Sequence, residues 1–182
     1  MWRWRLAKLA QFSKEGIPDV VFRFRDCIDC ESIELLASFE FSREESRWKF
    51  RQWDPKAKPE TGSYFMVGAD MDTGETESGV SVLIETSCVY KVDDLNGSGV
   101  DEVGSWCGVT DTEMDPPGRR LSRKYTTLLF SVENGAGHTI EIKDSSAATE
   151  LHRKLCSGQD QKPLCRGLTS GSNARSSRPS DH

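Results

Sequence analysis

Oxygen-bearing side chains recur at alternate positions between residues 94 and 102, in a segment that reads DLNGSGVDE. Carboxylates stand at its first and ninth positions, and Gly99 at the sixth would let the chain turn where a larger residue would clash. Alternate residues of a tight loop point inward, and Ca²⁺ prefers oxygen ligands. The segment therefore predicts a Ca²⁺ site. Its predicted ligands are the side chains of Asp94, Asn96, Ser98 and Glu102 and the backbone carbonyl of Val100.

This loop resembles the calcium loop of FG-GAP and VCBS-type repeats, which occur in integrin-α-like β-propellers and usually read D-x-N-G-D-G-x-x-D-L. The resemblance covers about ten residues. It implies a calcium-dependent structure at a surface or outside the cell, often one that serves adhesion or carbohydrate contact. Ser98 replaces the aspartate that is usual in the family, so one ligand charge is missing and a weaker affinity follows. The loop does not resemble an EF-hand, because Ser105 stands at loop position twelve, where an EF-hand has a carboxylate.

Other interpretations of the loop stay open. Residues 94–99 are also typical of an Asx-rich hairpin turn that holds no metal. The residues from Asn96 to Ser98 form an N-glycosylation sequon, and a glycan on Asn96 would remove a ligand oxygen. A second acidic segment would add a ligand if it folded back onto the loop. The candidates are Asp70 and Asp72 in one predicted turn and Asp111, Glu113 and Asp115 in a predicted loop.

The six cysteines predict disulfides. Cys88 and Cys107 are equidistant from the centre of the loop, so a hairpin without a bulge places them opposite each other, within disulfide range. The remaining candidate pairs are Cys27 with Cys30 and Cys156 with Cys165, although spacing alone does not settle the connectivity. An even count favours an extracytoplasmic or secreted location. No signal peptide is visible at the N-terminus of the sequence as written.

Two rival uses of the cysteines are less favoured. Cys27 and Cys30 have the spacing of a thioredoxin-like redox pair, but the chain lacks the alternating strands and helices of that fold. These two cysteines could also bind Zn²⁺ together with Cys88 and Cys107, but only one C-x-x-C pair is present. Disulfides are therefore the preferred interpretation.

Signals for catalysis are sparse. His138, His152 and His182 are isolated in the sequence, and there is no G-x-S-x-G, P-loop or H-E-x-x-H motif. An enzyme of hydrolase or thiol redox type is kept as the alternative function.

Four aromatic residues could form a platform for a carbohydrate ligand. They are Trp48, Phe50, Trp53 and Tyr64. The preferred interpretation places Trp48 and Phe50 in the core and leaves Trp53 partly exposed.

Alternation of apolar and polar residues predicts β-strands along most of the chain. Val20, Phe22 and Phe24 share one face, opposite Arg23. The predicted strands are 20–25, a hairpin over 33–53, and 63–69, 80–92, 102–110, 123–133 and 138–143. A helix capped by Asp144 or Ser145 ends near residue 157. The predicted fold class is mainly β, an antiparallel sandwich or strongly twisted sheet of about eight strands with one C-terminal helix.

Charge divides the chain into three predicted segments. Residues 1–18 carry a net charge of +3 and residues 157–182 a net charge of +2, whereas residues 19–156 carry −10. The first segment is interpreted as a short peripheral helix, or as a basic amphipathic anchor at a membrane surface, because Leu6, Leu9 and Ala10 have helical spacing. The last is a disordered tail by composition. The middle segment is the β domain, and its acidity disfavours nucleic acid as a partner.

These observations predict a calcium-binding β domain in which the ion is structural. The broad function is surface or extracytoplasmic binding, and the partner is a protein or carbohydrate that the sequence does not name. No stretch approaches the ~20 apolar residues of a membrane-spanning helix.

Overall fold

The structure is a computed structural model that describes residues 3–14, 16–28, 31–54, 56–58, 62–67 and 70–166. Predictions for Cys30, His182 and the tail from residue 167 onward therefore lie outside the described residues. The same holds for the side chain of Cys27, of which only the backbone in a strand is described.

The first of two five-stranded antiparallel sheets is built from the N-terminal part of the chain. Its strands are β1 (Arg3–Ala10), β2 (Asp19–Ile28), β3 (Glu31–Ser42), β4 (Arg47–Phe50) and β5 (Phe65–Met66). They lie in the order β1-β2-β3-β4, and β5 pairs with β3 beyond the end of β4. Each strand on the main path thus lies beside its neighbour in sequence.

The second sheet follows in the chain, and the helix comes after it. Its strands are β6 (Asp70–Glu75), β7 (Ser81–Asp93), β8 (Glu102–Met114), β9 (Pro117–Glu133) and β10 (Ala136–Glu141), in the order β10-β9-β8-β7-β6. Helix α1 (Ser145–Cys156) begins at an N-cap, Asp144, whose side chain accepts a hydrogen bond from the amide of Ala147. The mainly β prediction with one C-terminal helix is confirmed.

A hydrophobic core lies between the two sheets. Trp53 lies within this core and is 1% exposed. Its ring packs edge-on against Phe12 and Phe130, at centroid distances of 5.8 Å and 4.4 Å respectively. The first sheet contributes Val21 and Leu36 to this core. The inner face of that sheet also holds an ion pair that is almost fully buried, between Arg51 and Asp19.

A second core lies between the second sheet and α1. Leu151 and Leu155 of the helix pack on Val89 and Trp106 of the sheet. Gly104 permits this approach, because a Cβ there would lie 2.8 Å from a methyl group of Leu95 and 2.9 Å from one of Leu155. Both faces of the second sheet are therefore covered around Gly104.

The outer face of the first sheet is apolar and open. Leu6 and Leu9 are 60% and 59% exposed, and Trp48 and Phe50 are each 45% exposed. The prediction that Trp48 and Phe50 lie in the core and Trp53 is partly exposed is wrong, because the apolar stripe of the hairpin faces outward. A carbohydrate platform that includes Trp53 is excluded for the same reason, since Trp53 lies on the opposite side of this sheet.

The N-terminal residues form a strand of the first sheet, so their interpretation as a short peripheral helix is wrong. Leu6 pairs with Phe22 and Leu9 with Val20, and the register shifts between Leu6 and Lys8. This bulge adds one residue to β1 and brings Leu6 and Leu9, three residues apart, to the same face. The spacing that suggests a helix is thus also the spacing of a bulged strand.

Both additional acidic segments lie in strands. Asp111 and Glu113 are in β8, which turns tightly at Asp115 into β9, so the predicted acidic loop is wrong. Asp70 and Asp72 are in β6 and pair with Thr86 and Ile84 of β7, so the turn predicted there is also wrong.

Candidate functional site

The loop that was predicted to bind calcium connects β7 to β8. The two strands pair without a register shift from Val82 opposite Glu113 to Asp93 opposite Glu102. Cys88 therefore lies opposite Cys107, as the symmetry of the sequence predicts, and their sulfur atoms are 2.07 Å apart in a disulfide. The register of this hairpin and its disulfide are confirmed.

The carboxylate of Asp94 organises the first half of the loop. Its Oδ1 accepts hydrogen bonds from the amides of Gly97 at 2.7 Å and Ser98 at 2.9 Å, and its Oδ2 accepts one from Gly99 at 3.0 Å. This is an Asx turn, in which a carboxylate oxygen replaces a backbone acceptor. Asp94 consequently points into the loop, as a metal ligand at the first position would.

Glu102 closes the loop from the other side and is 1% exposed. Its Oε2 accepts hydrogen bonds from the amides of Leu95 at 2.8 Å and Asn96 at 3.3 Å. Its Oε1 accepts one from the hydroxyl of Ser98 at 3.2 Å. A buried carboxylate needs such donors, because leaving a charge unpaired in a protein interior is costly.

Ser98 lies at the meeting point of the predicted ligands. Its amide donates to Oδ1 of Asp94 and to Oδ1 of Asn96, at 2.9 and 2.7 Å, and its hydroxyl donates to Glu102. Asp94, Asn96 and Glu102 thus each have a side-chain oxygen that accepts a hydrogen bond from Ser98. The amide of Val100 also contacts Ser98, since it donates to the hydroxyl at 3.4 Å.

Gly99 serves the loop through its backbone conformation. Its φ is +84° and that of Gly97 is +80°, in the region that favours glycine, and a Cβ at either position would contact nothing within 4 Å. The expected steric clash at Gly99 is therefore wrong, and the requirement is conformational.

Asp101 fixes the loop to the first sheet and was not among the predicted site residues. Its Oδ2 accepts from the amide of Gln11 at 2.7 Å, and its amide donates to the Gln11 carbonyl at 2.7 Å. Its Oδ1 accepts from Lys8 at 2.7 Å. On the other side of the loop, Leu95 packs in the helix core and its carbonyl accepts from Lys154 at 2.7 Å. The loop is thus held by both of its neighbours.

The second acidic segment does not reach this loop. Asp111 lies nine residues along β8 from Glu102, a distance of roughly 30 Å at ~3.3 Å per residue. Asp70 pairs with Thr86, eight residues before Asp94. The backbone of both segments thus lies far along the strands from the loop.

A second disulfide joins Cys156 at the end of α1 to Cys165, with sulfur atoms 2.06 Å apart. The predicted pair is confirmed. Because Cys88 and Cys107 are also bonded to each other, they are not available to bind Zn²⁺ with Cys27 and Cys30. Two disulfides are compatible with an extracellular location.

The two histidines in the described residues lie apart. His138 is exposed on β10, opposite Ser131. The ring of His152 stacks on Trp106, with centroids 4.0 Å apart, and its Nε2 is 2.7 Å from the hydroxyl of Thr127. Burial lowers the pKa of His152 from its usual value.

Sequence reasoning missed a cleft whose lining includes Arg5, Lys8 and Lys162. These residues come from the two basic ends of the chain, which were expected to be peripheral. The basic charge of residues 1–18 and 157–182 is visible in the sequence, but it does not indicate that these two segments lie side by side in the fold.

Comparison with protein-family models, with curated proteins and with solved structures finds no match to this chain. Within the described residues, no group of three or more His, Cys, Asp or Glu side chains is arranged to hold a metal ion. The side-chain oxygens that converge in the loop come from two carboxylates, Asp94 and Glu102, and from Asn96 and Ser98. In the part of the chain that the structure describes, no helix has the length and apolarity that a membrane crossing requires.

Proposed function

We propose that the chain is an extracytoplasmic β domain in which the loop between β7 and β8 binds one structural Ca²⁺. The observation that carries the proposal is the convergence on Ser98. Oxygens of Asp94, Asn96 and Glu102 lie within 2.7 to 3.2 Å of its amide or hydroxyl. Hard cations bind where such oxygens converge. Oδ2 of Asp94 and Oε1 of Glu102 each accept one of the hydrogen bonds described above and so keep a lone pair for an ion.

The charge of the site supports weak binding. Asp94 and Glu102 are its two carboxylates, and Ser98 supplies no charge. Affinity for Ca²⁺ follows the number of charged ligands, and extracellular modules bind at about 10⁻⁴ to 10⁻³ M. The amides that already stabilise Asp94 and Glu102 allow the loop to form without the ion, so the ion stiffens a preformed turn.

The position of the loop supports a structural role. Asp101 ties it to β1 through Gln11 and Lys8, and Leu95 ties it to the core beneath α1. An ion there would act on the junction of both sheets and the helix. The proposal that the domain binds a protein or carbohydrate rests on the resemblance to FG-GAP repeats. The extracytoplasmic location is supported by the two disulfides, which persist in an oxidising environment.

Thermal unfolding in Ca²⁺ and in chelator tests the calcium proposal. At about ten times Kd, binding adds ~1.4 kcal/mol to the free energy of unfolding, which raises Tm by roughly 3–6 °C. We expect this rise for the parent in about 10 mM Ca²⁺ if Kd is near 1 mM. Asp94→Asn keeps an oxygen for the Asx turn but removes a ligand charge, so its Tm should not respond.

Asp101→Asn is the matched control for this experiment. It removes a carboxylate from the same hairpin, and the loss of its contact with Lys8 should lower Tm, but its response to Ca²⁺ should equal that of the parent. A parent that does not respond, or an Asp94→Asn variant that responds equally, would show that the loop is an ordinary turn.

A further inference from the structure

A cleft of about 400 Å³ opens between β1 of the first sheet, β7 of the second sheet and the segment that follows α1. Among the described residues, five cationic side chains and no carboxylate line it. They are Arg5, Lys8, Arg23, Lys91 and Lys162. Val92 adds apolar surface to its wall. This concentration of positive charge occurs in a chain whose net charge is −5.

Three of these cations have carboxylate partners. Lys8 pairs with Asp101 at 2.7 Å, Arg23 with Glu34 at 3.0 Å and Lys91 with Asp93 at 3.2 Å.

The other two, Arg5 and Lys162, have no carboxylate within ion-pair distance among the described residues. The cleft thus holds more positive charge than its own acidic neighbours neutralise. An excess of one sign in a cleft attracts ions of the opposite sign.

The wall of the cleft is held in place before any ligand arrives. Arg23 hydrogen-bonds the side chain of Tyr90, which raises the pKa of Arg23. Gln159 donates to the carbonyls of Tyr90 at 3.0 Å and Leu155 at 2.9 Å. The Cys156–Cys165 disulfide closes the segment that carries Gln159 and Lys162. Preorganisation of this kind lowers the entropy cost of binding.

We propose that this cleft binds a small organic anion, a phosphate or sulfate ester, whose charged group is held by Arg5, Arg23 and Lys162. A guanidinium offers paired N–H donors that match the oxygens of such a group, and Lys162 adds a compact charge. The volume lies within the ~300–1,000 Å³ of small-molecule sites. Val92 would contact the uncharged part of the ester.

Calorimetric titration with inorganic phosphate, and separately with inorganic sulfate, tests this site at constant ionic strength with chloride as the balancing anion. We expect saturable binding to the full chain. The Arg5→Ala/Lys162→Ala variant should bind at least ~10-fold more weakly, because each substitution removes a charge-assisted contact. Both residues are exposed, so the variant should remain folded, as urea unfolding will verify.

Arg120→Ala/Lys124→Ala is the matched control, because it removes one exposed Arg and one exposed Lys from β9. Its affinity should equal that of the parent. Binding of phosphate alone or of sulfate alone would identify the ester, and binding of both would support their shared chemistry. The proposal is overturned if neither anion saturates the parent, or if the two double variants lose affinity equally through general loss of charge.

Discussion

The outer faces of the two sheets differ in what covers them. On the second sheet, α1 lies against Val89 and Trp106, and Gly104 leaves room for its leucines. On the first sheet, Leu9 and Trp48 stand on a face that remains open. Gly104 lets the helix approach one face closely, whereas in the part of the chain that the structure describes no helix lies against the other. Apolar alternation thus defines an apolar face, but it does not indicate whether another element covers that face.

Truncating one leucine on each face gives the sharpest test of this difference. Leu155 is 0% exposed and Leu9 is 59% exposed. We expect Leu155→Ala to lower the free energy of unfolding by about 2–5 kcal/mol, because it leaves a cavity beneath the helix. Leu9→Ala should lower it by about 1 kcal/mol or less, since most of its surface is already in water. Urea unfolding measures both values, and equal losses would show that the face carrying Leu9 is covered in solution.

Adding a methyl group at Gly104 tests how closely the helix approaches. Its Cβ would lie 2.8 Å from Leu95 and 2.9 Å from Leu155, so Gly104→Ala should cost about 1–3 kcal/mol by overpacking. Gly108→Ala is the control on the same strand. Its Cβ would lie 3.1 Å from the half-exposed ring of Tyr125 and 3.2 Å from a methyl group of Leu164, so the contacts are less close than at Gly104 and we expect a change below about 1 kcal/mol. Denaturation midpoints that rank the variants the other way would refute this account of the helix packing.

The smallest expected effect concerns the pH dependence of the helix contact. Burial lowers the pKa of His152, so the folded protein favours the neutral ring. Its contribution to stability is therefore complete above the unfolded pKa of ~6.5 and is lost as the pH falls below that value. We expect His152→Gln to lose less stability than the parent between pH 7 and pH 5. Urea unfolding across this range measures the difference, and identical pH profiles would contradict the expectation.

The hairpin that carries the loop was predictable because its information is local. Cys88 and Cys107 are equidistant from the turn, and β7 and β8 pair without a bulge, so counting residues gives the register. Asp94, Asn96, Ser98 and Glu102 converge for the same reason. Asp101 could not be assigned in this way, because its partners Lys8 and Gln11 lie about 90 residues away in sequence.

Burial in the first sheet was not predictable from alternation, which does not indicate which face lies inward. The aromatic stripe that includes Phe50 suggests a core, but the structure buries Val21, Leu36 and Trp53 on the opposite side. The bulge in β1 likewise has no local signal, since Leu6 and Leu9 have a spacing that also fits a helix. The basic cleft combines residues from both ends of the chain, so only the tertiary structure reveals it.

The pairing of consecutive strands has a consequence for folding. On the main path of each sheet, every strand pairs with its neighbour in sequence, so each sheet can form by successive closure of short loops. Such local closures carry little entropy cost and favour rapid folding. The contacts of Asp101 with Gln11 and Lys8 instead join distant parts of the chain. We therefore expect the two sheets to form early and their docking across this contact to limit the rate.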